Sequence, residues 1–397
     1  MTSILPSSIG GSKTPWSALF VIKALYFFYY CAFGIFSAYI NLYYHDIGMS
    51  GVQIGWIGSV APLVGIFGGL LWGVLNDRFG KPRLLLAVAA IGTITSLLGV
   101  SVVRTFLWLL PLVGLYSLFN STIVPLVDTM NLAMLGDERE RYGNQRIWGS
   151  IGYIVTIWGF GWVLEWFGLH SVFPGYIGLM LFMLVAVAFL PNQSLQISKS
   201  PRQDLLKLVS QPRWLFFSAS LILLGIASSS MYNFLSIYLK QMGASDSLVG
   251  STWSLGALAE LPVMIFGAYL IRSLGLKRML SLAYLAYTAR FLLYALMPSP
   301  SWAVWISLLH FFTFGMYWVA GVIYVNQMAP DNLKTTSQSL LVAEMGLASV
   351  IGAPISGYLY DWLGGSSLFF FSSGVCLVAL CILWSGFLTE KNISLGR

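Results

Sequence analysis

Seven polar side chains interrupt the long apolar runs of this chain: Lys23, Asp128, Arg146, Glu260, Arg290, His310 and Glu344. An Asp, Lys or Arg at the centre of a membrane helix costs about 2.5–3.5 kcal/mol on insertion scales. Several left unpaired would rival a whole net stability of about 5–15 kcal/mol. Such groups therefore pair with one another or line a wet cavity, where they can bind polar groups of a solute or carry a proton. Residues equidistant from a turn sit at equal depth in an antiparallel helix pair. Asp128 and Arg146 are symmetric about Asp137, Glu260 and Arg290 about Gly275, and Arg290 and His310 about Pro300. At the rise of an α-helix, Asp128 lies roughly 10 Å in from one face and Glu260 roughly 16 Å in. Asp128 and Arg146 are thus expected to meet, and Glu260, Arg290 and His310 to form one cluster. Pairs that merely fix helix register are the plain alternative. Lys23 lies near a membrane face and can snorkel; Glu344 is a further intramembrane charge. Tyr153 follows Arg146 by seven residues, two turns along the same face. Tyr26, Tyr29, Tyr30, Trp148 and Trp253 also offer rings and hydroxyls, although most aromatics in such chains pack or form interface belts.

The elements that must position these residues are membrane spans. Of the 397 residues 57% are hydrophobic and 9% charged, against about 25% charged in soluble domains. Apolar runs occupy about 17–44, 51–75, 83–103, 106–135, 143–166, 171–190, 213–240, 247–271, 278–297, 301–328, 336–361 and 366–388, each long enough to cross a ~30 Å hydrocarbon layer. The first run is too long for the core of a cleaved leader and is expected to remain as a span. With the N-terminus placed inside, sixteen Lys and Arg residues fall in inner loops and two, Arg104 and Lys240, in outer ones. That bias puts both termini in the cytoplasm of a multi-pass protein of the cell (inner) membrane. It also accounts for the net charge of +7 without nucleic acid. Cys31, Cys376 and Cys381 lie in apolar runs and suggest no disulfide or metal site. His45, His170 and His310 are far apart in sequence, and no nucleophile–base pair is evident, so neither an enzyme nor a cofactor is expected.

The chain repeats itself. Gly161, Glu165, Trp166 and Gly168 match Gly357, Asp361, Trp362 and Gly364 at an offset of 196, and Tyr43, Gly48, Ser50 and Gly55 match Tyr238, Gly243, Ser245 and Gly250 at 195. Each half holds an even number of spans, so the repeats are parallel. The expected architecture is all-α: twelve transmembrane helices in two pseudo-symmetric six-helix bundles. Residues 1–191 form the first bundle, 192–212 a cytoplasmic linker and 213–397 the second. Asp204–Val209 is expected as a short interfacial helix.

The loop Gly73–Arg83 reads GVLNDRFGKPR and resembles the signature between spans two and three of the major facilitator superfamily. That resemblance implies a cytoplasmic latch made of Gly73, Asp77, Arg78, Gly80, Lys81 and Arg83. The second copy, GAYLIRSLGLKR at Gly267–Arg278, lacks the Asp. FFYYCAFGIFSAYINLYYHDIG in span one and YGNQRIWGSIGY at Tyr142–Tyr153 are similar to the lactose permease family. This implies solute binding by Asp128, Arg146 and Tyr153, and proton coupling by Glu260, Arg290 and His310. Trp148, within the same stretch, joins the solute-binding candidates. The chain departs from that family at Thr313, where a carboxylate is usual, and in span seven, which has no acid. WSLGALAE at Trp253–Glu260, the His310 to Thr313 spacing and VPLVDTMN at Val124–Asn131 look more like the phenylpropionate permease group. The implied activity is secondary active transport: proton-coupled symport of a sugar, oligosaccharide or aromatic carboxylate by alternating access. The expected partners are solute, proton and lipid, in a monomer. An uncoupled facilitator, a nucleoside transporter and a solute sensor on the same architecture are the alternatives.

Overall fold

A computed structural model describes residues 16–136, 138–191, 209–330 and 333–395. Most of the expected linker, with Asp204 to Leu208 of its expected helix, lies outside the described residues, as does Asp137. Among the described residues there are helices and no strands. Span one is Trp16–Asp46, span two Gly51–Phe79 and span three Pro82–Val102. Span four is Phe106–Leu135, broken into helices Phe106–Asn120 and Ile123–Leu135. Span five is Tyr142–Phe167 and span six Val172–Ala188. Spans seven, eight and nine are Pro212–Gln241, Asp246–Leu274 and Leu276–Leu296, and span ten is Trp302–Met328. The last helical stretch, Lys334–Leu395, contains two spans. It folds over at Gly364, whose φ of 77° and ψ of 174° are not helical, so among the described residues the eleven apolar helices make twelve spans.

The backbone carries the duplication more plainly than the side chains do. Gly48 and Gly243 both have φ of 89°, Gly168 and Gly364 both 77°, and Gly80 and Gly275 are positive at 58° and 77°. Each pair is separated by 195 or 196 residues. A left-handed residue needs glycine because a Cβ would collide with the following carbonyl. Helix starts repeat too. Ser50 caps span two by accepting from the Gln53 N–H, and Ser245 caps span eight by accepting from the Leu248 N–H, both at 3.2 Å.

The two halves meet where span five crosses span eight and span two crosses span eleven. Backbones touch there: a Cβ added at Gly250 would lie 2.5 Å from the Ile157 carbonyl oxygen, and its counterpart Gly55 abuts the Ala353 carbonyl. Small residues let membrane helices approach this closely. At the ends of these crossings, on the face opposite the basic loops, each half caps a helix of the other. Asp361 accepts from the N–H groups of Gly51 and Val52 at 2.7 and 2.9 Å. Its repeat partner Glu165 accepts from the Ser247 N–H at 3.0 Å. The repeated acids seen in the sequence thus bridge the two halves. The Ser236 hydroxyl adds a bond to the Ala38 carbonyl at 2.9 Å, and that of Ser254 one to the Ile154 carbonyl at 3.0 Å.

Candidate functional site

Below these crossings the halves part around a cavity of about 280 Å³. Span five contributes Arg146, Ser150 and Tyr153, spaced by four and three residues and so on one helical face. Tyr30 and Phe33 of span one complete that wall. The facing wall carries Tyr232, Trp253, Glu260, Arg290, His310 and Phe314 from spans seven to ten. The rings of Tyr232 and Trp253 stack at 6.0 Å with an interplanar angle of 20°. Trp253 is held by its indole N–H, which donates to the Ser236 hydroxyl at 3.0 Å.

On the first wall, Arg146 donates to the Tyr30 hydroxyl at 2.5 Å, and its guanidinium carbon lies 4.1 Å from the Tyr30 ring centroid and 5.6 Å from that of Tyr26. Asp128 accepts from the Tyr26 hydroxyl at 2.5 Å and from the Tyr142 hydroxyl at 3.1 Å. Among the described residues Asp128 and Arg146 make no direct ion pair, contrary to the expectation from depth alone. Tyr26 stands between them, its hydroxyl on the acid and its ring beside the cation. Equal depth brings two residues near each other along the membrane normal; helix rotation decides whether they touch. Asp128 is therefore outside the cavity wall and connects to it through Tyr26.

On the second wall the three expected residues form a chain. Arg290, only 3% exposed, places one terminal nitrogen 2.7 Å from His310 Nδ1 and 3.1 Å from the Thr313 hydroxyl. Its other terminal nitrogen donates to the Tyr294 hydroxyl at 3.1 Å. Arginine has no acceptor, so His310 Nδ1 must be the acceptor. The imidazole proton then sits on Nε2, which faces a Glu260 carboxylate oxygen at 3.5 Å. Histidine, rather than direct contact, links the acid to the guanidinium. Span ten winds irregularly at this point: Leu308–His310 is a 3₁₀ turn and Phe311–Gly315 a π turn. Such turns concentrate at functional sites, and this one presents His310 and Thr313 to the same nitrogen. Thr313, where the lactose permease family has a carboxylate, serves here as an acceptor for Arg290.

Several expected residues lie elsewhere. Trp148 is absent from the cavity wall. It packs edge-on against Phe27 at 6.5 Å and lies 5.9 Å from the Lys23 ammonium. The reason is helical: two residues beyond Arg146 is about 200° around the axis, so a residue facing away was already implied. Lys23 borders a separate hollow of about 960 Å³ between spans one and six. Glu344 is tied to span seven, accepting from Trp214 Nε1 at 3.1 Å and the Ser218 hydroxyl at 2.7 Å. In the signature loop, Gly80 ends span two by donating to the Asn76 carbonyl at 2.8 Å, and Arg83 donates to the Ala188 carbonyl at 2.6 Å. Arg78 lies over the Phe79 ring, Gly73 is inside span two and Lys81 precedes span three. The Asp77 side chain is outside the described residues. Tyr142, Tyr294 and Tyr232 escaped the sequence reading. Tyr142 and Tyr294 sit four residues from Arg146 and Arg290, the spacing at which side chains on one helix meet, so that signal was present.

Comparison with known proteins agrees with this architecture. Residues 19–371 match the model of the "MFS_1 like family". The maltose permease of Geobacillus stearothermophilus is 28% identical over 368 residues, covering 90% of this chain and 91% of that protein. The "Probable 3-phenylpropionic acid transporter" of Escherichia coli (strain K12) is 24% identical, covering 85% and 90%. The crystal structure of the nucleoside transporter NupG superposes with a TM-score of 0.85 at 16% identity, over 93% of this chain and 99% of that one. With a family match spanning most of its length, two crossing six-helix halves and a polar cavity between them, the chain belongs to the MFS_1-like family and is a membrane transporter of the major facilitator fold.

Proposed function

We propose that this chain is a proton-coupled symporter of a sugar or small glycoside, working as a monomer in the cell (inner) membrane with its basic loops and both termini cytoplasmic. Residues 1–191 and 213–397 act as two bodies joined by 192–212. One observation carries the reading: a single cavity is bordered by Arg146 and aromatic rings on one wall and by the Glu260–His310–Arg290 chain on the other. Ring faces of Tyr153 and Trp253 suit the apolar face of a pyranose, while Arg146 and Glu260 supply a donor and an acceptor for its hydroxyls. The similarity to a maltose permease supports this substrate class.

Coupling follows from the donor inventory. With Glu260 ionised, the His310 Nε2–H has an anion to face; protonation of Glu260 removes that anion and frees the acid to donate to a solute hydroxyl. Solute affinity then differs between the two protonation states, which coupling requires. In the arrangement described here the halves are joined on the face opposite the basic loops. Rocking about the cavity would break those contacts and form others on the basic face.

An aromatic carboxylate is the second reading, favoured by two guanidiniums against one carboxylate in the cavity wall. Proteoliposome uptake separates the possibilities. A sugar that drives alkalinisation of the medium on entry supports sugar symport; alkalinisation by an aromatic acid alone supports the second reading. Uptake of either solute with no proton movement eliminates coupling. The Glu260→Gln variant should lose uphill uptake and keep solute exchange; unchanged uphill uptake removes Glu260 from the role.

A further inference from the structure

Glu344, an acid within the membrane, lines no part of the central cavity. It stands in the helix that begins at Lys334, about 15 Å in from the basic-face end. Its Oε1 is fixed by two donors of span seven, Trp214 Nε1 at 3.1 Å and the Ser218 hydroxyl at 2.7 Å. Its Oε2 is buried and has no hydrogen-bond partner. One oxygen is enough to tie the helices together; the second is left available to take a proton without breaking either bond.

A small hollow of about 60 Å³ inside the second half adjoins both Glu344 and the central cavity. Tyr232 and Phe314 line it and the central cavity alike, and Met345, next to Glu344, borders it on span eleven. Ser228, Tyr232, Tyr287, Tyr317 and Ser349 give its lining a hydroxyl from each of four spans. The Tyr317 hydroxyl is buried without a hydrogen-bond partner. Water is the usual partner of such a group in a polar hollow, and this one has room for a few molecules at about 10–15 Å³ each. The hydroxyls descend towards the basic face: Tyr287 is one turn from Arg290 along span nine, and Tyr317 two turns from His310 along span ten. The Tyr317 ring lies 6.4 Å from that of Tyr284, whose hydroxyl shares a 3.2 Å hydrogen bond with that of Ser220. Tyr284 and Tyr317 are both within electrostatic reach of the Glu344 carboxylate.

We infer that Glu344 is a second proton site, reached from Glu260 through water in this small hollow. The inference rests on the proton-coupled reading above. The proton leaves the Glu260 carboxyl, which becomes a carboxylate, and passes along waters and hydroxyls, each accepting one proton and giving up another. Glu344 Oε2 receives it, and Glu344 becomes the acid. Glu344 then returns the proton to water at the basic face and is a carboxylate again. This route leaves the central cavity sideways, so a proton can reach the basic face while solute fills the cavity.

The test uses the purified full chain and its Glu344→Gln variant, which keeps an acceptor for Trp214 and Ser218 and cannot take up the proton. Infrared difference spectra between acidic and alkaline buffer need no solute: the parent should show a protonated-carboxyl band that the variant lacks. In proteoliposomes, with maltose or 3-phenylpropionate as the trial solute, uphill uptake should slow about a hundredfold, the low end for a positioned proton-transfer group. Solute exchange should keep the parent rate, and Glu344→Asp should recover part of the uphill uptake. Tyr317→Phe should not raise Tm, because the hydroxyl it removes is bonded to water; a raised Tm marks a dry hollow and overturns the route. Identical infrared spectra of parent and E344Q overturn it as well. Equal slowing of uptake and exchange makes Glu344 a helix tie only, with the same consequence. Uptake by the parent without proton movement removes the coupled reading and the route with it, whereas a coupled parent with unimpaired uphill uptake in E344Q removes the route alone.

Discussion

Removing the Asp361 carboxylate should open the transporter on the face opposite its basic loops. Asp361 accepts from two N–H groups, of Gly51 and Val52, at the start of span two. These are orphan donors of a helix N-terminus, and a negative charge there also meets the favourable end of the helix dipole. Asp361→Asn keeps one acceptor but loses the charge and one bond. Because the side chain is exposed to water, the loss is taken at the low end, about 1 kcal/mol, or about fivefold in an equilibrium. Asp361→Ala loses both bonds, about 2 kcal/mol, or about thirtyfold. An open state populated at about 0.1–10% can rise by these factors and remain measurable. Asn233 reports on the seam: it accepts from Asn41 of the other half at 3.4 Å. Cys31 and Cys376 are buried and Cys381 is exposed, so Asn233→Cys with Cys381→Ser leaves one reactive thiol at the seam. Its labelling by a membrane-impermeant maleimide, applied to proteoliposomes from the side opposite the basic loops, should quicken about fivefold with Asp361→Asn and more with Asp361→Ala. High salt should shrink the difference between Asp361 and Asn, since the charge is screened. Labelling rates unchanged in both variants would refute the idea that this cap holds the halves together. Faster labelling from the basic face alone would refute the assigned gate.

Other residues give separate checks. Tyr26→Phe removes the 2.5 Å donor to Asp128, a loss of about 1–3 kcal/mol; solute affinity measured by equilibrium binding should fall about fivefold or more, whereas Trp148→Ala should leave it within about twofold, as for a surface change. His310→Ala cuts the link between Glu260 and Arg290, so solute-driven proton movement should disappear while solute exchange persists in proteoliposomes. Gly250→Val drives side-chain atoms into the Ile157 carbonyl, so the seam thiol should label faster than in the parent from the side opposite the basic loops. Gly364→Ala forces a Cβ onto a residue at φ 77°, at a cost of about 1–2 kcal/mol, read as a lower Tm with transport retained.

Residue order alone was enough for the membrane class, the twelve spans and the duplication. These depend on local quantities: the rise of a helix, the thickness of lipid and a repeat offset of 195 or 196. The turn at Gly364 was also legible, because its partner Gly168 recurs in the first half at the same place. That Trp148 faces away from Arg146 was latent in the 100° step of the helix. Tertiary structure decided the rest. Helix rotation placed Tyr26 between Asp128 and Arg146, and the irregular winding of span ten placed His310 between Glu260 and Arg290. Packing turned Glu165 and Asp361 into caps on helices 82 and 310 residues away. Depth is a one-dimensional property that the chain carries along its own length. Azimuth and partnership arise only when several helices settle against one another, because each rotation is set by neighbours remote in sequence.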